Sequence, residues 1–355
     1  EVLAFGGYFA TGAYGISPQC DRGSGGTWSV DPSTTPTGRF GGASAQGPGG
    51  SIVLFGGIVS SLSNETWTFD GKGWREHAPQ TAPSARYLSQ MAFDERRNQT
   101  VLYSGYTPGG WAYDTWTWDG TNWTKRLPAH VPGSVDGAMT YDSVRERVWN
   151  IDTASNPVRT WSWDGQDWQL VQLGPAPPRR GQAAVAFDRA RGVVVVFGGQ
   201  GDSGFIDDTW TWDGTSWKAL SPVDRPAPRT QASLAWDDAR KQLVLFGGTG
   251  QSGVLNDVWA WDGKNWGPLV NPNATVLPVS RYGSNFVPIG KTGNLLLIGG
   301  QTPDQTLDDQ WLFRTRGGTC TSAAQCGSGS CVDGVCCEAA ACGTCETCGG
   351  IDRGL

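Results

Sequence analysis

The sequence predicts an all-β fold built from a repeated unit, and two observations support this prediction. A tryptophan-rich phrase recurs along the 355 residues, in copies such as TWTFDGKGW (66–74), TWTWDGTNW (115–123) and VWAWDGKNW (258–266). The composition, with 52 Gly, 21 Pro and 19 Trp against 2 Met, suits short strands and tight turns rather than helices. We therefore expect many short antiparallel strands.

The spacing of the phrase defines the repeat. The first tryptophan of each copy is Trp67, Trp116, Trp161, Trp210 or Trp259, with outlying matches at Trp28 and Trp311. Successive gaps from Trp67 are 49, 45, 49, 49 and 52 residues. Apolar runs that end in glycine, such as IVLFGG (52–57) and VVVFGG (194–199), keep the same period. A period near fifty with several strand-sized pieces is typical of a β-propeller blade.

Each repeat is interpreted as four antiparallel strands, a to d. Strand a begins near an arginine and ends at an aromatic-Asp pair, such as FD (93–94) or WD (236–237). Strand b is the apolar run, and strands c and d are the two arms of the tryptophan phrase around an Asp-Gly turn. The sequence holds seven b-like and seven c-like segments but six a-like segments. We predict seven blades, or six if the first repeat is only a remnant.

The order of apolar strand, Gly-Gly, Asp-x-Trp and second Trp resembles kelch repeats, from residue 1 to about residue 316. The resemblance implies a closed β-propeller over residues 1–316. The fourth repeat departs from the pattern, because WNID (149–152) replaces Phe-Gly-Gly and Ser134 stands where an arginine is expected.

The tryptophans of the phrase are predicted to be scaffold. Two residues that lie two apart in a strand point to the same face, and a residue repeated in every blade meets the same packing demand each time. The rival interpretation is a ring of indoles that stack on sugars. Trp111, in TPGGWAYD, has no counterpart in the other repeats, and with Tyr106 and Tyr113 it is a candidate ligand-binding residue. Antiparallel order places the b–c and d–a connections on one face, which we expect to bind the ligand.

Five arginines near the starts of strands a are further candidates: Arg39, Arg86, Arg180, Arg229 and Arg281. A ring of them at the channel mouth would attract carboxylates or sulfated sugars. Alternatively, each pairs with the aspartate two residues before a strand c tryptophan, namely Asp114, Asp208, Asp257 or Asp309. Their recurrence favours pairing.

Signals for catalysis are weak. Kelch propellers include galactose oxidase-like copper enzymes, which need several imidazole ligands and a tyrosine cross-linked to cysteine. This chain has only His77, His130 and one cysteine, Cys20, before the C-terminal tail, so we predict no metal and no cofactor. The Asp-Gly turns lack the intervening residue of sialidase Asp boxes, but the arginines leave a sialidase-like enzyme or a lectin as an alternative. No catalytic residue is assigned.

A cysteine-rich tail is predicted over residues 317–355. It holds eight of the nine cysteines: Cys320, Cys326, Cys331, Cys336, Cys337, Cys342, Cys345 and Cys348. Four disulfides are expected, with open connectivity, in preference to zinc sites at the overlapping CxxC pairs. The phrase CGSGSCVDGVCC resembles modules that follow repeat domains in secreted and surface proteins of myxobacteria-like bacteria. Cys20 is either a free thiol or the partner of another segment.

Charge and hydropathy narrow the classes of partner. The formal net charge is -6 and no run of Lys or Arg occurs, which excludes the usual footprint for nucleic acid. No apolar run is long enough to insert into a membrane. The opening EVLAFGG and closing GGIDRGL lead us to expect further sequence, or a removed signal peptide, beyond both ends. We predict an extracellular or surface-displayed recognition or adhesion scaffold for a protein or glycan, with a self-associating structural subunit as another alternative.

Overall fold

The computed structural model describes residues 27–30, 36–133, 136–171, 174–269, 277–314, 330–332 and 335–337. Their regular structure is β-strand, apart from one 3-10 turn at Pro48–Gly50. None of these residues belongs to a helix that could cross a bilayer. The all-β prediction is confirmed.

The described residues form six blades of four antiparallel strands. In the order a to d, the strands are Ala43–Gln46, Ile52–Phe55, Thr66–Phe69 and Trp74–His77 in blade 1; Gln90–Asp94, Gln99–Tyr103, Thr115–Trp118 and Trp123–Arg126 in blade 2; and Ala138–Asp142, Arg147–Asp152, Arg159–Trp163 and Trp168–Leu170 in blade 3. They are Ala184–Asp188, Val193–Phe197, Thr209–Trp212 and Trp217–Leu220 in blade 4; Ser233–Asp237, Gln242–Gly250, Gly253–Trp261 and Trp266–Pro268 in blade 5; and Asn285–Pro288, Leu295–Ile298, Gln310–Arg314 and Thr27–Val30 in blade 6. Each strand a contacts the strands a of both neighbouring blades, which closes the ring around a central axis.

The alternative of six blades is confirmed, and seven is wrong for the described residues, because the first repeat completes the last blade. Strand Thr27–Val30 pairs with Gln310–Arg314 and supplies strand d of blade 6. Trp28 lies opposite Phe313, just as the strand d residue Trp123 lies opposite Trp118 in blade 2. Trp28 therefore corresponds to the second arm of the phrase and not, as the spacing indicated, to the first. The apolar segment at residues 2–7 lies outside the described residues.

The tryptophans hold neighbouring blades together. Between blades 1 and 2, Phe55 packs with Leu102, Trp118 and Trp123, and the partly buried Trp116 packs against the same cluster. Comparable clusters fill the other five interfaces between neighbouring blades. The two strand c tryptophans thus share a face, as the two-residue period predicted, and the scaffold interpretation is confirmed for this phrase.

Strand d also hydrogen-bonds across the interface. The Trp123 indole Nε1 donates to Thr66 Oγ1 of the preceding blade at 2.9 Å. The same bond joins Trp168 to Thr115, Trp217 to Thr160 and Trp266 to Thr209. At the ring closure Trp74 donates instead to Gln310 Oε1 of blade 6, at 2.6 Å. The first residue of the phrase, an ordinary strand threonine by sequence, is therefore an interblade hydrogen-bond acceptor.

The aromatic-Asp pairs shape the a–b turns. The buried Asp188 carboxylate accepts the backbone N–H groups of Ala190 and Arg191 and the Arg191 guanidinium. Arg191 then donates to the Asp262 carbonyl in the c–d turn of the next blade. Asp94, Asp142 and Asp237 hold Arg97, Arg145 and Arg240 in the same way. Arg97, Arg145 and Arg191, each held by a buried aspartate, therefore join the a–b turn of their own blade to a turn of the next blade.

The first position of the Gly-Gly pair requires glycine, because the backbone of the next blade lies close to it. Gly198 has φ of 67°, and a Cβ there would lie 2.6 Å from the Arg229 carbonyl oxygen of the next blade. Gly56 and Gly247 are placed in the same way, against Arg86 and Arg281. Only glycine combines this backbone conformation with so close an approach.

We expect Gly198→Ala to lower the free energy of unfolding by about 1–3 kcal/mol, the cost of a strained backbone position. Urea unfolding followed by tryptophan fluorescence measures the change. The matched control is Gly267→Ala, because Gly267 has open space around its Cα and no positive φ. Equal stability of the two variants would contradict the packing described here.

Candidate functional site

One face of the ring carries a small β-hairpin in five of its six blades. We call it the hairpin face; it holds the b–c and d–a connections. The hairpins are Tyr106–Thr107 with Gly110–Trp111 in blade 2, Gln200–Gly201 with Gly204–Phe205 in blade 4, and the extended ends of strands b and c in blade 5. Blades 1 and 6 form the equivalent bridges, Ile58 with Leu62 and Gln301 with Thr306.

Each hairpin pairs with the residue that follows the arginine near the start of its blade's strand a. Tyr87 bridges Tyr106, Gly181 bridges Gln200, and Tyr282 bridges Gln301. In blade 5, Arg229–Thr230 pairs with Thr249 and Gly250. The hairpins are therefore extensions of the blades and not independent loops.

Trp111 has register counterparts, which the sequence comparison missed. It lies opposite Tyr106 as Phe205 lies opposite Gln200, and each of the two aromatic residues precedes its blade's paired aspartate by three residues. The hairpin position recurs, while its side chain varies from blade to blade. The recurring feature of this position is its distance from the paired aspartate, and not the identity of its residue.

The five predicted arginines are buried and paired. Arg86 is 1% exposed; it donates to both Asp114 carboxylate oxygens, at 2.5 and 3.2 Å, and to the Ser104 carbonyl at 3.1 Å. The predicted pairs of Arg180, Arg229 and Arg281 with Asp208, Asp257 and Asp309 are also present.

Arg39 completes the set with a partner that the sequence analysis did not identify. Its Nη2 donates to Glu65 Oε2 at 2.7 Å, and Glu65 also stands two residues before a strand c tryptophan. Each of the five arginines thus joins the approach to strand a with the end of strand b and the start of strand c. A direct role of these arginines in ligand binding stays a prediction, and their geometry is that of a scaffold.

The arginines also stabilise the ionised carboxylates. Burial raises the pKa of the Asp257 carboxyl, but hydrogen bonds from Arg229 and Trp259, together with the Arg229 charge, lower it below its ordinary value. The same balance, with the burial effect outweighed by Arg86 and Trp116, lowers the pKa of Asp114. Asp114 and Asp257, which neutralise Arg86 and Arg229, are therefore held in their charged forms.

Blade 3 departs from this arrangement, as the sequence indicated. Arg159 occupies the position of the paired acid, and within the described residues the Trp161 Nε1 has no hydrogen-bond partner. Asp152 replaces a glycine; it is buried and accepts the Ser155 hydroxyl at 2.5 Å. Ser134 lies outside the described residues. No hairpin forms in the described b–c connection of this blade, which is the neighbour of blade 2.

Aromatic side chains form a continuous strip across blades 1 and 2 of the hairpin face. Ring centroids are 6.2 Å apart between Phe40 and Tyr87, 5.7 Å between Tyr87 and Tyr106, and 5.2 Å between Tyr106 and Trp111. Tyr106, Trp111 and Tyr113 are each about two-fifths exposed, at 38%, 40% and 42%. The structure thus brings together Tyr106 and Trp111 of the predicted residues and adds Phe40 and Tyr87, which the sequence analysis did not select; Tyr113 is exposed but has no ring contact within the described residues. We call the rings of Phe40, Tyr87, Tyr106 and Trp111 the aromatic strip.

A separate groove of about 630 Å³ lies between blades 4 and 5. Trp259, Val223 and Pro268 line it, and the Arg225–Asp207 ion pair, at 2.8 Å, stands at its side. None of the residues predicted from the sequence to bind a ligand lines this groove.

The described residues contain no cluster of His, Cys, Asp and Glu that could hold a metal ion. Most of the tail cysteines and Cys20 lie outside the described residues. Cys331 and Cys336 lie opposite each other in a short hairpin, Ser330–Val332 with Val335–Cys337, whose side chains are not described. The predicted disulfides stay a prediction.

Comparison with known proteins agrees with this architecture. Residues 133–330, more than half of the chain, match the family described as the KLHDC2/KLHL20/DRC7 Kelch-repeats domain. The chain belongs to the kelch-repeat family. A solved structure titled "Structure of YjhT" is similar with a TM-score of 0.59 and 16% identity, over 79% of this chain and 96% of that chain, which shows the fold alone. No curated protein gives a significant match.

We expect Arg229→Met to lower the free energy of unfolding by about 2–4 kcal/mol, because the Ala227 and Gly247 carbonyls lose their guanidinium donor as well as Asp257 its cation. Chemical denaturation measures the loss. Arg225→Met is the matched control: it breaks an ion pair on the same face whose partners are both substantially exposed, so the loss should stay within about 1 kcal/mol. Similar losses in both variants would refute the scaffold role of the buried arginines.

Proposed function

We propose that this protein is a recognition scaffold that binds a partner protein through the hairpin face, with Trp111 and Tyr106 at the centre of the contact. The observation that carries the proposal is the aromatic strip, which exposes large rings on hairpins anchored to the blades. Aromatic residues dominate the energetics of protein interfaces, and rigid presentation lowers the entropy lost on binding. Membership of the kelch family supports a protein-binding scaffold.

The backbone of the hairpin face favours a preorganised surface, beside the strip at Leu88 and also in blades 4 and 5. Leu88, Gln182 and Gln231, each two residues after a buried arginine, have φ between 52° and 58°. Backbone hydrogen bonds join Leu88 to Gly41, and Gln231 to Gln182, across blade boundaries. Such left-handed positions persist only where the surroundings determine them, so the inner edge of the hairpin face is held in one conformation.

Trp111→Ala should weaken partner binding by about thirtyfold, the effect of truncating a central interface tryptophan, without changing the unfolding midpoint. A displayed library of random peptides, selected on the wild type alone and then tested on the variant, supplies the ligands. Phe205→Ala is the matched control, since it removes an aromatic ring at the same register position of blade 4.

Two outcomes would contradict this proposal. If the selected peptides bound Trp111→Ala as tightly as wild type, the binding site would lie outside the aromatic strip. The proposal would also fail if a glycan array showed Trp111-dependent binding while the peptide library yielded no binder. The aromatic strip would then bind carbohydrate. Light scattering over a concentration series tests the alternative of a self-associating subunit.

We further propose that the protein acts outside the cytoplasm, at the cell surface or beyond it. The proposal is supported by the eight cysteines of the tail, since stretches so rich in cysteine and poor in large apolar residues usually require disulfides. The intact protein, purified from an oxidising compartment and denatured without reductant, should then show no reactive thiol in the tail by alkylation and mass spectrometry. Alkylation of the tail cysteines in that sample would overturn the proposal.

A further inference from the structure

The exposed charges in the connections around the aromatic strip are of one sign, and the exposed cation nearby, Lys125, lies on strand d of blade 2, 3.8 Å from Asp114 Oδ2. Blades 6, 1 and 2 carry the acidic residues Glu65, Asp114, Asp304, Asp308 and Asp309 in their b–c connections. The basic residues of these connections and of the described approaches to strand a are Arg39, Arg86 and Arg281, all of which are buried. In this sector, the charged groups of the described connections that reach solvent are therefore carboxylates.

Asp308 lies next to the strip, and Asp304 belongs to the same b–c connection of blade 6. Asp304 and Asp308 are exposed and, within the described residues, neither forms an ion pair. A Cβ on Gly38 would lie 2.8 Å from the Asp308 Cβ, and Gly38 is two residues from Phe40, the first ring of the strip. The Glu65 side chain is 38% exposed even though Arg39 binds it.

The opposite sector of the same face differs. In blade 4, Asp202 pairs with the exposed Arg179, and Asp207 pairs with the exposed Arg225 at 2.8 Å. These two acids are balanced by arginines that also reach solvent, while Asp224 of the same sector is exposed and forms no ion pair within the described residues. The sector opposite the strip thus carries exposed charges of both signs, whereas the described connections beside the strip expose carboxylates.

We infer that the partner presents an extended basic segment, whose Lys or Arg side chains lie on the aromatic strip and face Asp304, Asp308 and Glu65. This inference rests on the proposed function and specifies its ligand. Cations bind favourably over the faces of Trp and Tyr rings, and a field of one sign steers a ligand of the opposite charge. The strip runs from Phe40, beside the blade 6 acids, to Trp111, so a segment along it meets both features.

Binding of labelled peptides tests the inference. The probes are a fluorescein-labelled peptide of alternating Arg and Ala and its counterpart with Glu in place of Arg, measured by fluorescence anisotropy. We expect the basic peptide alone to bind. Trp111→Ala should weaken it about fivefold, as for an exposed cation–π contact, and the double variant Asp304→Asn/Asp308→Asn by a similar factor.

The control double variant is Asp202→Asn/Asp224→Asn, which removes the same formal charge from exposed acids in the opposite sector. It should leave the affinity for the basic peptide unchanged. Equal weakening by both double variants would show attraction by the overall net charge and would overturn the inference. Absence of binding by the basic peptide would also overturn it.

The random-peptide selection separates this inference from the proposed function. Trp111-dependent binders enriched in Lys and Arg would support both. Trp111-dependent binders that are neutral or acidic would overturn the basic partner while the protein-binding role stands. Failure to recover any Trp111-dependent peptide would overturn both.

Discussion

The buried arginine between strands a, b and c is the interaction on which the hairpin face depends. In five blades its guanidinium reaches the carbonyl at the end of strand b and the acid at the start of strand c, while its backbone follows the preceding d–a connection. The Arg86 carbonyl also accepts a hydrogen bond from Gly57 of the preceding blade at 2.8 Å. One residue therefore orders connections within its own blade and across the boundary. Removing the guanidinium would destabilise the blade, because the carbonyl at the end of strand b would lose its donor and the acid its cation.

Much of this scaffold could be predicted because it repeats. The period near fifty, the shared face of the strand c tryptophans and the Arg–Asp pairs all follow from local chemistry that each blade must satisfy. The ring closure could not be predicted in the same way. Trp28 has the sequence surroundings of a strand c tryptophan, and only its pairing with Phe313, 285 positions along the chain, assigns it to strand d. The blade count depends on that one long-range contact.

The candidate site was predictable in part, and the missing part is informative. Trp111, Tyr106 and Tyr113 stood out as unrepeated aromatic residues in a connection. Phe40 and Tyr87 did not, because each follows a scaffold arginine and resembles part of the repeat. Phe40 joins the strip through a contact with Tyr87 of the next blade, and Tyr87 through a contact with Tyr106 of its own blade; sequence spacing reports neither contact. The candidate site thus uses repeat positions whose side chains differ between blades, such as the hairpin position shared by Trp111 and Phe205.

The constant geometry of the arginine pairs has a consequence for how such a face can be altered. In blades 2, 4, 5 and 6 the arginine reaches a carbonyl 18 residues onward and an aspartate 28 residues onward. The segment between them has the same length in four different blades and begins and ends on the same anchor. These segments are therefore interchangeable cassettes, and a hairpin grafted from one blade to another would bring its surface chemistry to a new position without a new scaffold.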